Sequence, residues 1–161
     1  MERLIRQERA EAKKFGVVVF ILDGNNMVYT LQEEEERCDT QKQEGQFGVV
    51  CESAQSEELP YANFWRGLRE EVGLPEETYT KILDFSNYRV FEAGFVEKVW
   101  ATVVVLRCND KNLFMQQVGA AQELDKVRPV GFLSRGDFSD LNLRPGVRNI
   151  LEKFGDQIFQ Q

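Results

Sequence analysis

Histidine is absent from this 161-residue chain, and its absence excludes several kinds of site. Without an imidazole there is no Ser-His-Asp or Cys-His nucleophile, no histidine acid/base catalyst and no histidine-ligated zinc. The three cysteines, Cys38, Cys51 and Cys108, lack the close spacing of metal ligands, and an odd number cannot all pair within one chain. Acid/base chemistry must therefore use carboxylates, Lys, Tyr, Cys or metal-bound water, and a reducing cytoplasmic compartment is expected.

Long apolar runs and an excess of positive charge are also lacking. The longest runs, residues 16–22 and 100–106, are far shorter than the roughly 18 residues of a membrane-spanning helix. The N-terminus lacks the apolar segment of a secretory signal, so we expect it to stay on the mature protein. The formal net charge of −7 argues against binding long stretches of nucleic acid, although it does not exclude a local basic groove. Walker and dinucleotide-binding glycine loops are absent, so any phosphate binding must use another kind of binding site.

The length and the 42% hydrophobic content predict a single domain over residues 1–161. Charges separated by a few apolar residues in segment 1–15 favour a helix or arm lying on that domain. The β-branched residues 16–22, followed by a DGNN turn signal and a second apolar stretch, predict a β-hairpin. Residues 33–46 are polar and aperiodic, which is typical of a loop, and their four consecutive glutamates are interpreted as solvated surface.

One helix stands out in the middle of the chain. Pro60 suits its first turn and Gly73 its end. Between them, apolar residues recur at helical spacing and predict one buried stripe, namely Tyr61, Phe64, Trp65, Leu68 and Val72.

The remaining elements complete a mixed pattern of strands and helices. Residues 88–94 and 98–108 predict strands, and the second is so continuously apolar that it should lie centrally in the sheet. Shorter strands are predicted at residues 112–117 and 127–133, and a proline opens a closing helix over residues 144–160. This order favours an α+β sandwich in which helices pack against a mixed sheet.

Two adjacent glutamates lie on one face of the central helix. Positions 67, 70 and 71 are spaced i, i+3 and i+4, so Gly67, Glu70 and Glu71 share a face away from most of the aromatic stripe. We expect both carboxylates to point outward into a cleft. Magnesium prefers anionic oxygens and keeps several waters, which leaves room for substrate phosphate oxygens. The alternative interpretation is a solvated pair flanked by Arg66 and Arg69.

The helix and the loop before it resemble the Nudix box, G-x5-E-x7-R-E-U-x-E-E-x-G-U, in which U is aliphatic. The positions that agree are Glu58, Arg66, Leu68, Glu70, Glu71, Gly73 and Leu74. The resemblance implies an α/β/α sandwich and a hydrolase that cleaves a diphosphate linkage in a nucleotide derivative, a nucleoside diphosphate linked to another moiety. It implies that Glu70 and Glu71 hold Mg²⁺ or Mn²⁺, and that Glu58 and Arg66 form a structural pair fixing the loop.

Two positions depart from that pattern. The first helical glutamate of the box, commonly a metal ligand or the general base in the family, is Gly67 here. The opening glycine of the box falls on Glu52 when no gap is introduced. An insertion in the loop would instead place Gly48 there and leave Glu52 as an additional acid. Glu52 is therefore a further candidate metal ligand, and both alignments remain open.

The missing glutamate implies a general base from outside the box. Glu123 is the first choice, because the segment QELDKVRPVGFL resembles a family loop that borders the metal site. The catalytic candidates are therefore Glu123 and Glu70. The other candidate bases are Glu52, Glu92 and Glu97.

Three hypotheses follow from these residues. The first is a cytoplasmic, metal-dependent hydrolase of a small nucleotide, with an RNA end disfavoured as substrate by the net negative charge. The second is a catalytically silent Nudix domain that binds a nucleotide or a protein partner. The third is an α+β interaction domain whose match to the box is accidental.

Overall fold

The computed structural model describes residues 14–35, 44–96 and 98–160, and within them seven strands form one sheet. The strands are β1 (Phe15–Leu22), β2 (Val28–Glu33), β3 (Phe47–Gly48), β4 (Val50–Ser53), β5 (Leu83–Val96), β6 (Val99–Cys108) and β7 (Val127–Leu133). The helices are α1 (Pro60–Glu71), α2 (Tyr79–Ile82), α3 (Lys111–Gln117), α4 (Arg135–Ser139) and α5 (Pro145–Ile158), with a 3₁₀ turn at Glu76–Thr78. Among the described residues, none of the helices has both the length and the apolar character to span a membrane.

Strand β1 lies at the centre of the sheet. It runs parallel to β6 along its whole length, from the pair Phe15 and Trp100 onward. On its other side, β1 is antiparallel to β4 and then to β2. Strand β2 pairs with β3 and β7, and β5 pairs with β6, all antiparallel. The sheet is therefore mixed, and the predicted α+β fold class is confirmed.

The side chains of β1 supply both faces of the sheet, because successive residues of a strand point in opposite directions. Val17, Val19 and Ile21 belong to a core cluster that contains the α1 residues Leu68 and Val72. The residues between them join a second cluster with α5, made of Val18, Phe20, Leu22, Val147, Ile150 and Leu151. Burial on both faces explains the continuous apolar sequence of β1.

Residues 112–117 form most of helix α3, so the strand predicted there is wrong. The Asp110 side chain accepts a hydrogen bond from Leu113 N at 3.0 Å, which is an N-cap. Phe114 is the buried residue of this helix. An apolar segment of six residues is too short for its periodicity to separate strand from helix, and the aspartate cap was the available signal.

Two burial predictions also need correction. Tyr61 is 73% exposed, so the apolar stripe of α1 begins one turn later than its spacing suggested. Glu33 is buried at the end of β2, with Oε1 lying 3.6 Å from Nη1 of Arg144, and is not solvated. Residues 1–13, to which most of the predicted arm belongs, and residues 36–43 lie outside the described part of the chain.

Helix α1 is followed by Gly73, whose left-handed backbone conformation provides a test of the fold. Gly73 has φ +63°, and a Cβ added there would lie 3.0 Å from Leu124 Cδ2. We therefore expect Gly73→Ala to lower the free energy of unfolding by about 1–3 kcal/mol, measured by urea denaturation. Gly24→Ala is the matched control, because a Cβ at Gly24 meets nothing within 4 Å. Equal denaturation midpoints for the two variants would contradict this account.

Candidate active site

Arg66 on α1 joins the helix to the loop that precedes it. Its Nε and Nη2 donate to Glu58 Oε2 and Oε1 at 3.0 and 2.9 Å, and Nη2 also donates to the carbonyl of Ser53 at 2.6 Å. This paired contact lowers the pKa of Glu58 and raises that of Arg66. Residues 48–74 comprise the end of β3, strand β4, a loop, helix α1 and the turn at Gly73, so the loop and helix expected around the box are present.

The same guanidinium also contacts two further carboxylates. Nη1 of Arg66 lies 3.0 Å from Glu52 Oε1 and 3.4 Å from Glu70 Oε2. The side chain of Glu52 is 13% exposed and that of Glu70 is 30% exposed. A single arginine therefore gathers carboxylates from β4, from the loop and from α1, and water reaches Glu70 most easily.

Glu52 fills the space beside Gly67. A Cβ at Gly67 would lie 3.2 Å from Glu52 Cβ and 3.4 Å from Val50 Cγ1. Glu52 is fixed in the sheet, where it pairs with Val17 of β1. Gly48, the other candidate for the glycine of the box, packs instead against side-chain atoms of Arg144 and the α5 residue Val147. Glu52 and Gly67, the two positions that depart from the box pattern in the ungapped alignment, therefore lie side by side, with Glu52 Cβ against the place that a side chain at position 67 would take.

The Glu70 carboxyl group titrates far from its usual range. Burial raises its pKa to about 7, and a hydrogen bond to Glu52 and the charge of Glu52 act in the same direction. Arg66 lowers this pKa, whereas the charge of Asp125 raises it. Glu70 therefore behaves as a partly buried carboxyl group beside a second carboxylate, Glu52 (together, the carboxyl pair), and keeps its proton to a higher pH than an ordinary glutamate.

Asp125 is a candidate residue that the sequence interpretation missed. Its backbone N donates to the Glu70 carbonyl at 2.9 Å. The loop before it also caps the end of α1, through Gly119 N to Val72 O at 2.8 Å and further backbone contacts. Glu123, the predicted base, is exposed in the same loop. The predicted segment therefore does border the carboxyl pair, and the signal for Asp125 was a second acid two residues after Glu123.

Glu71 does not point outward into a cleft, so the predicted direction of its side chain is wrong. The residue is 2% exposed, and its Oε2 accepts a hydrogen bond from Cys51 N at 3.0 Å. Its charge also acts on the pKa values of Tyr29 and Arg144. Position 71 lies one helical turn after Gly67, on the side of α1 that packs on the sheet, and its carboxylate therefore fastens the helix to β4.

Glu92 lies on the sheet at β5. Its Oε2 accepts hydrogen bonds from Trp100 Nε1 at 2.6 Å and from Thr102 Oγ1 at 3.0 Å. These contacts place the carboxylate in a structural role beside β6. Glu97 lies outside the described residues.

The placement of the carboxyl groups determines which of them could hold a metal ion. Over residues 14–35, 44–96 and 98–160, no three acidic or cysteine side chains converge closely enough to ligate one ion. Two carboxylates are sufficient for Mg²⁺ or Mn²⁺ when waters and substrate phosphates complete the shell. Glu52 and Glu70 fit that requirement, because both carboxylates contact one nitrogen of Arg66 and a cation would relieve the repulsion between their charges. The structure does not present Glu71 beside Glu70 as a second outward-facing carboxylate, because Glu71 is buried and accepts a hydrogen bond from Cys51 N.

The raised pKa of Glu70 predicts how the metal-free protein responds to pH. A folded-state pKa of about 7, above the ordinary 4.5, means that the folded state binds more protons than the unfolded state. The resulting stability is complete below the unfolded pKa and is lost as pH rises through about 7. Urea midpoints measured in chelator should therefore fall between about pH 5.5 and about pH 8.

Glu70→Gln should make that fall smaller, because the amide stays neutral at both pH values. The exposed Glu123→Gln variant is the control and should keep the wild-type slope. Identical pH slopes in the wild type and Glu70→Gln would show that this carboxyl group does not titrate as described.

No protein-family model matches the chain, and no curated protein matches it in sequence. Similarity is found among solved structures. One, from a study of MutT of Aliivibrio salmonicida and Vibrio cholerae, gives a TM-score of 0.59 over 89% of this chain and 98% of that chain, at 10% identity. The Nudix hydrolase RenU of M. smegmatis gives 0.54 over 91% and 84%, at 17% identity.

A third similar structure contains a bound metal. The bifunctional NMN adenylyltransferase/ADP ribose pyrophosphatase of Francisella tularensis, in complex with AMP and a manganese ion, gives a TM-score of 0.55 at 11% identity. The match covers 98% of this chain and 47% of that one. Together these similarities show that the chain has the fold of the Nudix hydrolases.

Proposed function

We propose that this protein is a Nudix-type hydrolase that cleaves a diphosphate linkage in a nucleotide derivative, with Mg²⁺ or Mn²⁺ held by Glu52 and Glu70. The observation that carries the proposal is the position of Glu52 in the space beside Gly67, with its carboxylate and that of Glu70 on the same Nη1 of Arg66. The shared fold supports it, since the similar proteins include a MutT, a Nudix hydrolase and an ADP ribose pyrophosphatase.

The chain holds this carboxyl pair on rigid elements. Glu52 is fixed by the pairing of β4 with β1, and Glu70 by the body of α1. The bond from Cys51 N to Glu71 fastens α1 to β4, so the spacing of the pair is set by packed backbone. A bound divalent ion would supply neutralisation of the diphosphate and a water of lowered pKa. Arg66 keeps both carboxylates turned toward one point.

Proton removal from the attacking water is assigned to Asp125. Its loop is hydrogen-bonded to α1 at Glu70, and its charge acts on the Glu70 carboxyl group. Glu123 lies two residues earlier and is exposed, so it has fewer constraints on its position. Asp125 therefore becomes the leading candidate base, and Glu123 is the alternative that the sequence favoured.

A catalytically silent, nucleotide-binding domain is the second candidate function. The favouring observation is the guanidinium of Arg66, which already contacts both members of the carboxyl pair with one nitrogen. A cation must share these oxygens with an existing positive charge. If Arg66 fully neutralises Glu52 and Glu70, the fold retains a binding cleft without metal-dependent turnover.

Turnover in the presence of Mg²⁺ or Mn²⁺ tests the proposed function. Suitable substrates are nucleoside diphosphate derivatives, dinucleoside polyphosphates, and capped or triphosphorylated RNA, with products separated by chromatography. Glu52→Gln and Glu70→Gln should each reduce turnover on the order of 100-fold or more, because each removes a ligand charge. Glu76→Gln, on the exposed 3₁₀ turn, is the control and should leave turnover unchanged. Full activity in both pair variants would refute the assignment.

The two candidate bases are separated by matched amide variants. Asp125→Asn should reduce turnover by roughly 10²–10⁴-fold, as expected for loss of a general base, while Glu123→Gln should have little effect. The reverse ranking would return the base to Glu123. The assay also needs the binding constant for Mn²⁺, so that lost metal affinity is not mistaken for a lost base.

Exchanging the residues at positions 52 and 67, which differ from the box pattern, tests whether Glu52 replaces the glutamate missing from the helix. Gly67→Glu alone should reduce activity, because its Cβ would crowd Glu52. Glu52→Gly alone should reduce it by removing the carboxylate. The double variant should recover much of the loss, giving a strongly non-additive cycle in turnover. A wild type without turnover, together with activity in the double variant, would instead support the silent domain.

A further inference from the structure

Exposed apolar side chains concentrate on one surface of the described residues. They surround the gap between α1 and β5, and they are Phe15, Leu59, Tyr61, Tyr88, Val90 and Phe95. Among the large apolar side chains that are exposed in the described part of the chain, Val130 of β7 is the exception. A contiguous apolar surface of this kind marks a place where another segment or another molecule packs.

Strand pairing places three of these side chains on the face of the sheet that carries α1. Val90 is paired with Val104, which belongs to the core cluster that includes α1. Phe95 is paired with Trp100, and Trp100 is paired with Phe15 of β1. Paired residues share a face, and positions 100 and 104 of β6 point the same way. All three exposed side chains therefore lie on the side of α1.

Tyr61 forms the opposite side of the gap. Its ring lies edge-on to that of Trp65, with centroids 6.2 Å apart, and the Trp65 ring lies 5.2 Å from that of Phe85 on β5. Tyr61 is therefore on the flank of α1 that faces β5. A mostly apolar cavity of about 200 Å³ adjoins this flank at the first turn of α1. We call this surface the apolar groove, with Tyr61 on one side, Tyr88, Val90 and Phe95 on the other, and Phe15 at its end.

Residues 1–13 join the rest of the chain at the end of this groove. The carbonyl of Lys14 accepts a hydrogen bond from Trp100 N at 2.9 Å, and Phe15 then begins β1. The segment is therefore tethered about 10 Å from Phe95, which lies two strand spacings away. A short tether gives a local concentration in the millimolar range, and this favours the segment over a second copy of the chain as the occupant of the groove.

The sequence of residues 1–13 has the character that the groove requires. On a helix, positions 4, 5 and 12 lie within about 100° of one another, so Leu4, Ile5 and Ala12 share one side. Glu8 lies on that side too and keeps the apolar stripe narrow, which suits a groove better than a broad face. Four basic residues against three acidic ones give the segment a charge of +1, on a chain whose total is −7. Thirteen helical residues extend about 20 Å, which is about the span of the groove along β5.

We propose that residues 1–13 pack into the apolar groove through Leu4 and Ile5 and thereby strap α1 to β5. The groove is then a docking surface within one chain, and the segment shields its apolar side chains from other molecules. The inference does not rest on the proposed function, because neither Glu52 nor Glu70 lines the adjoining cavity.

Nuclear magnetic resonance of the full chain tests this placement directly. The methyl groups of Leu4 and Ile5 should give nuclear Overhauser contacts to the Val90 methyl groups and to the Tyr61 ring. These contacts should arise within one chain, so they should be absent from a spectrum that selects contacts between labelled and unlabelled copies. Contacts found only between copies would assign the groove to a second copy, and either this result or an absence of all contacts would overturn the inference.

Opening the groove should expose it to a hydrophobic dye. The double variant Leu4→Gln, Ile5→Gln should raise the fluorescence of added anilinonaphthalene sulfonate at least about threefold in water, with the far-ultraviolet circular dichroism of the fold retained. Ala10→Gln, on the other side of the predicted helix, is the matched control and should leave the dye signal unchanged. Equal dye signals in the wild type and the double variant would contradict the proposed packing.

Paired substitutions separate packing in the groove from a general loss of stability. Ile5→Ala and Val90→Ala should each lower the urea midpoint, and together they should lower it by less than the sum, because both remove the same contact. Val130→Ala, at the exposed position on β7, is the control and should add fully to Ile5→Ala. Additive effects of Ile5→Ala and Val90→Ala would overturn the inference.

Discussion

The guanidinium of Arg66 is the constraint on which the candidate site depends. It is fixed by two bonds to Glu58 and one to the Ser53 carbonyl, and its remaining nitrogen then determines where Glu52 and Glu70 lie. Because arginine stays charged at all accessible pH values, this arrangement persists while Glu70 gains or loses a proton. The positive charge makes the proximity of the acids tolerable, and it also limits how strongly they attract another cation.

Much of the fold was predictable from periodicity and turn chemistry, since the hairpin, the long strands and both long helices carry strong signals. The prediction was wrong at α3, because its short apolar segment fits both the period of a helix and the period of a strand. The deciding interaction there was the hydrogen bond from Leu113 N to the capping side chain of Asp110. The prediction was also wrong at Glu33, whose burial depends on Arg144, a residue more than one hundred positions away in the sequence. Contacts between such distant residues leave no local signal.

The site was predictable only in part for a related reason. Helical spacing placed Glu70 and Glu71 near each other, but their different roles depend on the strand packed against α1. The box pattern identified Gly67 as a missing acid, yet it could not show that the neighbouring strand supplies Glu52 at that point. Asp125 was missed because sequence gives no measure of which of two nearby loop acids approaches the helix.

The parallel pairing of β1 with β6 has a consequence for how the protein acquires its structure. It joins Phe15 to Trp100, which are 100 − 15 = 85 positions apart, so the centre of the sheet must close a long loop of chain. Folding that depends on such distant contacts is intrinsically slow. Because Glu52 is aligned by its pairing with Val17 of β1, the acidic pair reaches its final geometry only when this central strand is in place.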